Sequence, residues 1–318
     1  MERYVNNPIL TRAEIPEISP ELVDPSSVFN PAAIKIEDKY KLILRVQNRA
    51  RETYLLLAES DDGINFQVDN KLLKLKGLDQ IDEKIYHCYD PRITQIGDTY
   101  YLMFAIDFAD CCKLALAASP DFKEFEFMGI VSEEANRNGV LFSETIGGRY
   151  YRLDRPNKLA LPGGPVTGRD IYLSSSSDLL NWQSEALVMA GRPHYWDEII
   201  GAGPPPVKTR AGWLLIYHGI ALHYAPIYQA GVALLDLHDP SKVIARSRYN
   251  ILEPRELYEI VGQVPNVIFP SGLTVDNYDS EGFALADSPV HIYYGAADTV
   301  VGLARSTVAE LLDKCKKE

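Results

Sequence analysis

Gly97-Asp98-Thr99-Tyr100-Tyr101-Leu102-Met103-Phe104 is the stretch that decides the fold. A Gly-Asp turn opens a run of aromatic and aliphatic residues, and the run closes on a polar residue, Asp107. A short apolar run bounded by turn residues reads as a buried strand. The same kind of run returns along the chain. Its other copies are Glu37 to Arg45, Gly147 to Arg155, Ala211 to His218 and Pro289 to Asp298.

A second element follows each of the first three copies. It reads Leu57 to Phe66, Leu116 to Phe122 and Leu173 to Trp182, with a small residue, Ser-x-Asp, and an aromatic a few residues on. Val232 to Asp236 and Gly302 to Ser306 are weaker fourth and fifth copies. A multi-strand unit repeating every roughly 50–80 residues is the mark of a propeller. The expected fold is therefore all-β, a five-bladed β-propeller with a short C-terminal helix. The helix is read over Ser306 to Lys317, where Val308, Leu311, Leu312 and Cys315 share one face. Residues 1–318 form one domain. The Gly/Pro-rich segments Leu161 to Gly168 and Gly201 to Pro206 read as connections between strands rather than linkers.

Composition bounds the function. The chain has 318 residues, 46% of them hydrophobic, enough for a large core without disulfides. A net charge of −12 with no dense Lys/Arg block argues against nucleic acid as a partner. No run is long enough to span a membrane, and Met1 to Pro25 lacks the apolar centre of a signal peptide. A cytoplasmic location is expected, with room for a homo-oligomer. Of the four cysteines, Cys111 and Cys112 are adjacent, which is poor disulfide geometry, and no Cys-x-x-Cys pair marks a zinc site.

In a propeller, equivalent strand ends gather round one axis. Arg45, Asp107, Arg155, His218 and Asp298 should then meet in one polar pocket. Asp90, in Cys88-Tyr89-Asp90-Pro91-Arg92-Ile93-Thr94, would lie on the same rim. Asp-Pro alone is an ordinary turn opener, and the proline should hold Asp90 in extended or polyproline backbone. Arg137, Arg155, Arg45 and Arg49 are arginines expected at this pocket, and guanidinium forks suit carboxylate or phosphate oxygens. His218 is followed by Gly219, which would leave its imidazole accessible as a base or hydroxyl-binding group. An acid on a rim, with other acids and aromatics around it, points to cleavage of a sugar bond. If water is the nucleophile, a second carboxylate must activate it. If phosphate is, a basic pocket takes that place.

With these residues assembled, the chain resembles glycoside hydrolase family 130, the β-mannoside phosphorylases and related mannosidases. The motifs are Phe29-Asn30, Tyr89 to Arg92, Arg137 to Phe142, Arg155-Pro156, Gly201 to Pro206, Tyr217-His218-Gly219, Val264 to Pro270 and Tyr293 to Thr299. The resemblance implies a five-bladed propeller. It implies that Asp90 is the general acid, protonating the glycosidic oxygen through a hydroxyl of the bound mannose. Inorganic phosphate then attacks with inversion and yields mannose 1-phosphate, with no other cofactor and no metal. It implies that Arg137, Arg155, His218 and Tyr228 form the phosphate side. Asn30, Arg45, Arg92, Asp154 and Asp298 form the side that holds the sugar of a β-mannoside oligosaccharide. The chain departs from the family at Ile199, where phosphorylases usually carry a lysine, at Gln229 in place of a histidine, and at Phe142-Ser143-Glu144-Thr145. The lost lysine keeps a second reading open, an inverting β-mannosidase with Glu198, or else Asp197, as the base for water. A third reading is a sugar-binding propeller without catalysis.

Overall fold

The computed structural model describes residues 1–160 and 166–316. Among the described residues, five small sheets stand round one axis, the five blades expected. They are antiparallel except where Leu75–Lys76 pairs parallel with Phe125–Ile130, and a two-stranded ladder of Leu159–Ala160 with Val166–Thr167 stands apart from them. The inner strands are Pro25–Ile36, His87–Ile96, Asn136–Leu141, Ile199–Ala202 with Val207–Thr209, and Ile268–Val275. The runs recognised as repeats are the second strands: Lys39–Asn48, Thr99–Asp107, Tyr150–Pro156, Gly212–Ala221 and Pro289–Ala296. The second repeated elements are the third strands, Thr53–Ser60, Cys112–Ser119, Ile171–Ser176, Ile227–Leu235 and Val300–Thr307.

The middles of most of these strands are continuous apolar runs because each blade is buried on both faces. Side chains alternate across a strand, so successive residues enter different blade junctions. In Gly212–Ala221, Trp213, Leu215 and Tyr217 pack toward the third blade. Leu214 and Ile216 pack toward the fifth. In Lys39–Asn48, Ile43 joins the core shared with the second blade, while Leu42 and Leu44 join that shared with the fifth. Five apolar cores, one per junction, hold the ring together.

The Ser-x-Asp pattern is a turn device. Asp62 Oδ1 accepts from the Ile64 and Asn65 amides at 2.9 and 2.8 Å, and Asp178 Oδ1 does the same for Leu180 and Asn181. The ring closes through the N-terminus: Glu2–Arg3 pairs with Arg305 and Ala304 as the outer strand of the fifth blade. Arg3 then grips the buried Glu259 carboxylate with two nitrogens at 2.8 and 2.9 Å. The C-terminal helix runs Val308–Lys316 and buries Val308, Leu311 and Cys315. A single turn, Leu257–Ile260, is the other α-helix among the described residues. Residues 161–165 of the connection read over Leu161 to Gly168, and Lys317, lie outside the described residues.

Candidate active site

The inner strands do not run straight past the axis. Those of the first, second, third and fifth blades each bulge, between Phe29 and Ala32, Tyr89 and Arg92, Arg137 and Val140, and Pro270 and Gly272. The fourth breaks at Gly203-Pro204-Pro205-Pro206, between its two strand segments. A bulge re-aims a side chain. At three of these places the re-aimed residue is polar with a positive φ: Asn30 at 46°, Asp90 at 51° and Asn138 at 54°. Asp90 is thus not in the extended backbone expected before a proline. The bulge overrides that preference, and such left-handed residues carry strain of about 1–3 kcal/mol each, typically at functional sites. Asp298, at 49°, follows Ala297 at 47° on the fifth blade.

Asp90 is the meeting point. Its Oδ1 accepts from Asn30 Nδ2 at 2.9 Å and from Arg45 at 2.7 Å. Burial pushes its pKa up, but Arg45, Arg92 and Asn30 outweigh burial and hold it below the usual carboxylate range. Arg45 lies over the rings of Phe29 and Tyr89, 4.3 and 4.8 Å from their centroids. Arg92 is 1% exposed and ties the second blade to the fourth, donating from Nε to the Gly203 carbonyl at 2.6 Å. Gly295 makes room for Asn30, because a Cβ there would stand 1.9 Å from Asn30 Oδ1.

The third and fourth blades supply the basic side. Arg155 donates to His218 Nε2 at 3.2 Å. An arginine only donates, so Nε2 must be the bare nitrogen and the proton sits on Nδ1. Burial, then Arg155 and Arg92, push the His218 pKa well down, so the imidazole is neutral. His218 stacks on Tyr228 at 6.2 Å and lies tilted against Phe269 at 4.6 Å, the three rings forming one cluster. Arg137 is the direct cross-strand partner of Arg155. Its Nε donates to Cys112 Sγ at 2.8 Å, and its NH2 lies 4.0 Å from Asp107. Burial raises the Tyr228 phenol, and Arg155 and Arg137 pull it back while Asp298 and Asp90 push it further, so these groups share one field. Asn30 Oδ1, Asn138 Oδ1, Arg92 NH2, Arg155 Nε and His218 Nδ1 are buried without a hydrogen-bond partner. Buried polar atoms are normally paired, so this group carries hydrogen-bonding capacity that the protein's own described atoms do not meet.

The structure therefore gathers Asn30, Arg45, Asp90, Arg92, Arg137, Arg155, His218, Tyr228 and Asp298. It does not bring Asp154 or Arg49 to them. Asp154 is one residue from Arg155 and so faces the other way, accepting from Arg152 Nε at 2.8 Å and Ser174 at 2.9 Å. Arg49 is on the surface, paired with Asp24 at 2.9 Å. Asp197 is fully buried in a cage of Arg192, Arg246 and Tyr217. Glu198 accepts from the backbone amides of His194 and Leu222 at 3.0 and 2.9 Å, and those bonds lower its pKa. The departures at Gln229 and Glu144 fall on partners elsewhere, Asn250 and Lys208. Ile199 is buried at 2% exposure.

Asn138, Cys112 and Phe269 were not singled out from the sequence as site residues. Asn138 had a signal there, since Asn30-Pro31, Asp90-Pro91 and Asn138-Gly139 are the same polar-then-turn step on three inner strands. Phe269 had none beyond its motif, and Cys112 had none.

The family profile described as beta-1,4-mannooligosaccharide phosphorylase matches residues 1–317. A 1,2-beta-oligomannan phosphorylase of Thermoanaerobacter sp. (strain X514) is 36% identical, over 88% of this chain and 89% of that protein. A beta-1,4-mannooligosaccharide phosphorylase of Ruminococcus albus is 31% identical over 99% and 90%. Among solved structures, a beta-1,2-mannobiose phosphorylase from Listeria innocua in complex with beta-1,2-mannobiose superposes with a TM-score of 0.85 at 27% identity, covering 100% of this chain and 99% of that one. The chain belongs to glycoside hydrolase family 130, the family of the β-mannoside phosphorylases.

Proposed function

We propose that this chain is an inverting β-mannoside phosphorylase that transfers a mannosyl unit from a β-mannoside oligosaccharide to inorganic phosphate. The observation that carries the reading is the pairing of Arg137 with Arg155. Residues directly opposite on antiparallel strands lie side by side on one face, and like charges there repel. A dianion between them turns that repulsion into attraction and matches the fork of each guanidinium. His218 keeps Arg155 in place without adding or removing charge.

In this reading Asn30, Arg45 and Asp298 hold the mannose beside Asp90, and Arg92 stiffens the floor beneath. A phosphate oxygen attacks the anomeric carbon from the arginine side. The bond from that carbon to the glycosidic oxygen breaks, and the oxygen takes its proton from Asp90 by way of a mannose hydroxyl. Asp90 is ionised in the free protein because arginines surround it. Binding a dianion offsets that positive field and moves Asp90 toward the protonated form that the reaction needs. Phosphate is then both nucleophile and the means of arming the acid. The co-substrate replaces any base, and no other cofactor enters these steps.

Water as nucleophile requires a free carboxylate. Glu198 has both oxygens on backbone amides, and Asp197 is locked by two arginines and a tyrosine. Neither is placed as a base. The product carries charge and does not cross a membrane unaided, which suits a cytoplasmic enzyme. Product analysis on β-1,2- and β-1,4-mannobiose with and without phosphate is the test. Mannose 1-phosphate formed only with phosphate supports the reading. Free mannose released at one rate in both conditions overturns it.

A further inference from the structure

Arg137 sits on the inner strand of the third blade, but the second blade holds its guanidinium. Its Nε donates to Cys112 Sγ at 2.8 Å. Asn157 Nδ2 donates to the same sulfur at 3.2 Å, and the thiol donates on to the Asn136 carbonyl at 3.3 Å. A thiol has one proton to give and lone pairs with which to accept. Both capacities are in use here. Cys112 is 3% exposed, and it is a free thiol.

The partners of this sulfur all belong to the edge that carries the two arginines. Asn136 directly precedes Arg137, and its Oδ1 accepts from the Arg155 backbone N–H at 3.0 Å. The Asn157 N–H donates to the Ala135 carbonyl at 2.8 Å, closing the same edge. Asp107, cross-strand partner of Cys112, accepts from Tyr89 Oη at 2.7 Å and stands 4.0 Å from Arg137 NH2. A guanidinium is planar and rigid. Anchoring Nε on the sulfur, with Asp107 near one terminal nitrogen, therefore fixes the direction of the whole fork. Burial works against the charge on Arg137, but Tyr89, Cys112 and Asp107 raise its pKa and keep it protonated. A cavity of about 550 Å³, lined by Cys112, Asp107, Arg137 and Asn157, opens beside the cluster. The sulfur thus stands between the body of the second blade and the pocket.

We propose that Cys112 is a positioning residue for phosphate: its sulfur sets the orientation of Arg137, and phosphate affinity depends on it. The inference rests on reading Arg137 as a phosphate ligand. Sulfur touches neither substrate in this arrangement, so its loss acts through Arg137 alone. The mannose side, built on Asn30, Arg45 and Asp298, is left as it was.

The test is initial-rate phosphorolysis of a β-mannobiose at varied phosphate and varied disaccharide, on wild type, Cys112→Ala, Cys112→Ser and Cys111→Ala. Cys112→Ala is expected to raise KM for phosphate by about tenfold, the scale of one lost charged hydrogen bond, with KM for the disaccharide unchanged. Cys112→Ser keeps one donor and two acceptors and is expected to recover most of the loss. Cys111→Ala, at the neighbouring thiol, should behave as wild type. Equal rises in both KM values, or a phosphate KM within twofold of wild type, overturn the inference. If Cys112→Ala does not fold, Cys112→Ser against Asn157→Ala decides the matter, since Asn157→Ala should also raise the phosphate KM alone. A wild type whose turnover ignores phosphate would instead remove the phosphorylase reading itself.

Discussion

Asp90 and Asp298 share the field of Arg45 but are driven in opposite directions. Asp90 takes the Arg45 hydrogen bond at 2.7 Å and stays below the usual carboxylate range. For Asp298, burial outweighs the pull of Arg45, Asp90 adds its repulsion, and the pKa is pushed up to about 6. One acid is therefore ionised, and the other is poised to carry a proton in mildly acidic solution. Environments that separate two nearby acids in this way are characteristic of catalytic pockets.

The Asp298 shift makes stability depend on pH with a definite sign. Between the ordinary carboxylate pKa and about 6 the folded protein binds the extra proton. Its contribution is full below about pH 4 and is lost as pH rises through about 6, a change on the order of 2–3 kcal/mol. Asp298→Asn mimics the protonated acid. It is expected to be more stable than wild type at about pH 8, near wild type at about pH 4, and poorly active. Urea denaturation at the two pH values checks this, and an equal offset at both would contradict it.

Asp90→Asn removes the proton donor while keeping the side-chain shape. Phosphorolysis of a β-mannobiose should fall by about 10²–10⁴-fold. An activated aryl β-mannoside, whose leaving group needs no proton, should lose far less. Equal losses on both substrates would show that Asp90 acts by holding the pocket together rather than by proton transfer.

Phosphate should stabilise the free protein through the Arg137–Arg155 pair. At about a hundred times its dissociation constant, the gain is about 2.7 kcal/mol. Thermal unfolding with and without phosphate reads this directly. Arg155→Ala is expected to abolish the phosphate-dependent rise in Tm while retaining the response to mannose. A variant that keeps the full rise would place the anion elsewhere.

Glu198 is a loop clamp in this structure. Glu198→Gln retains one acceptor oxygen for the His194 and Leu222 amides. Its phosphorolysis rate should stay within about threefold of wild type, the scale of one neutral hydrogen bond. A loss of about a hundredfold, with any water-dependent release lost as well, would return Glu198 to a catalytic role.

Some of the architecture was legible because a propeller buries every blade on both faces. Tyr100 to Phe104 and Trp213 to Tyr217 are continuous apolar runs for that reason, and turn residues mark where each ends. The closing strand Glu2–Arg3 was not legible, since two polar residues have no strand signal of their own. They pair there because the third strand of the fifth blade offers a free edge.

The five repeats, the strand ends at which polar residues stand and, through its motifs, the family could all be read from the order of residues. Which of those polar residues meet is settled only by folding. Asp154 and Arg155 are neighbours in the chain, yet a period of two sends one to Arg152 and the other to His218. Glu198, with Asp197 second, reads as a candidate base for water, and only the folded chain shows their oxygens committed to amides and arginines. Cys112 carries no motif at all, and it acquires a partner in Arg137 because two blades abut. Strand character is local and is written in the order of residues. The direction of a side chain depends on register and bulges set by neighbouring strands, so the pocket exists only once the ring has closed.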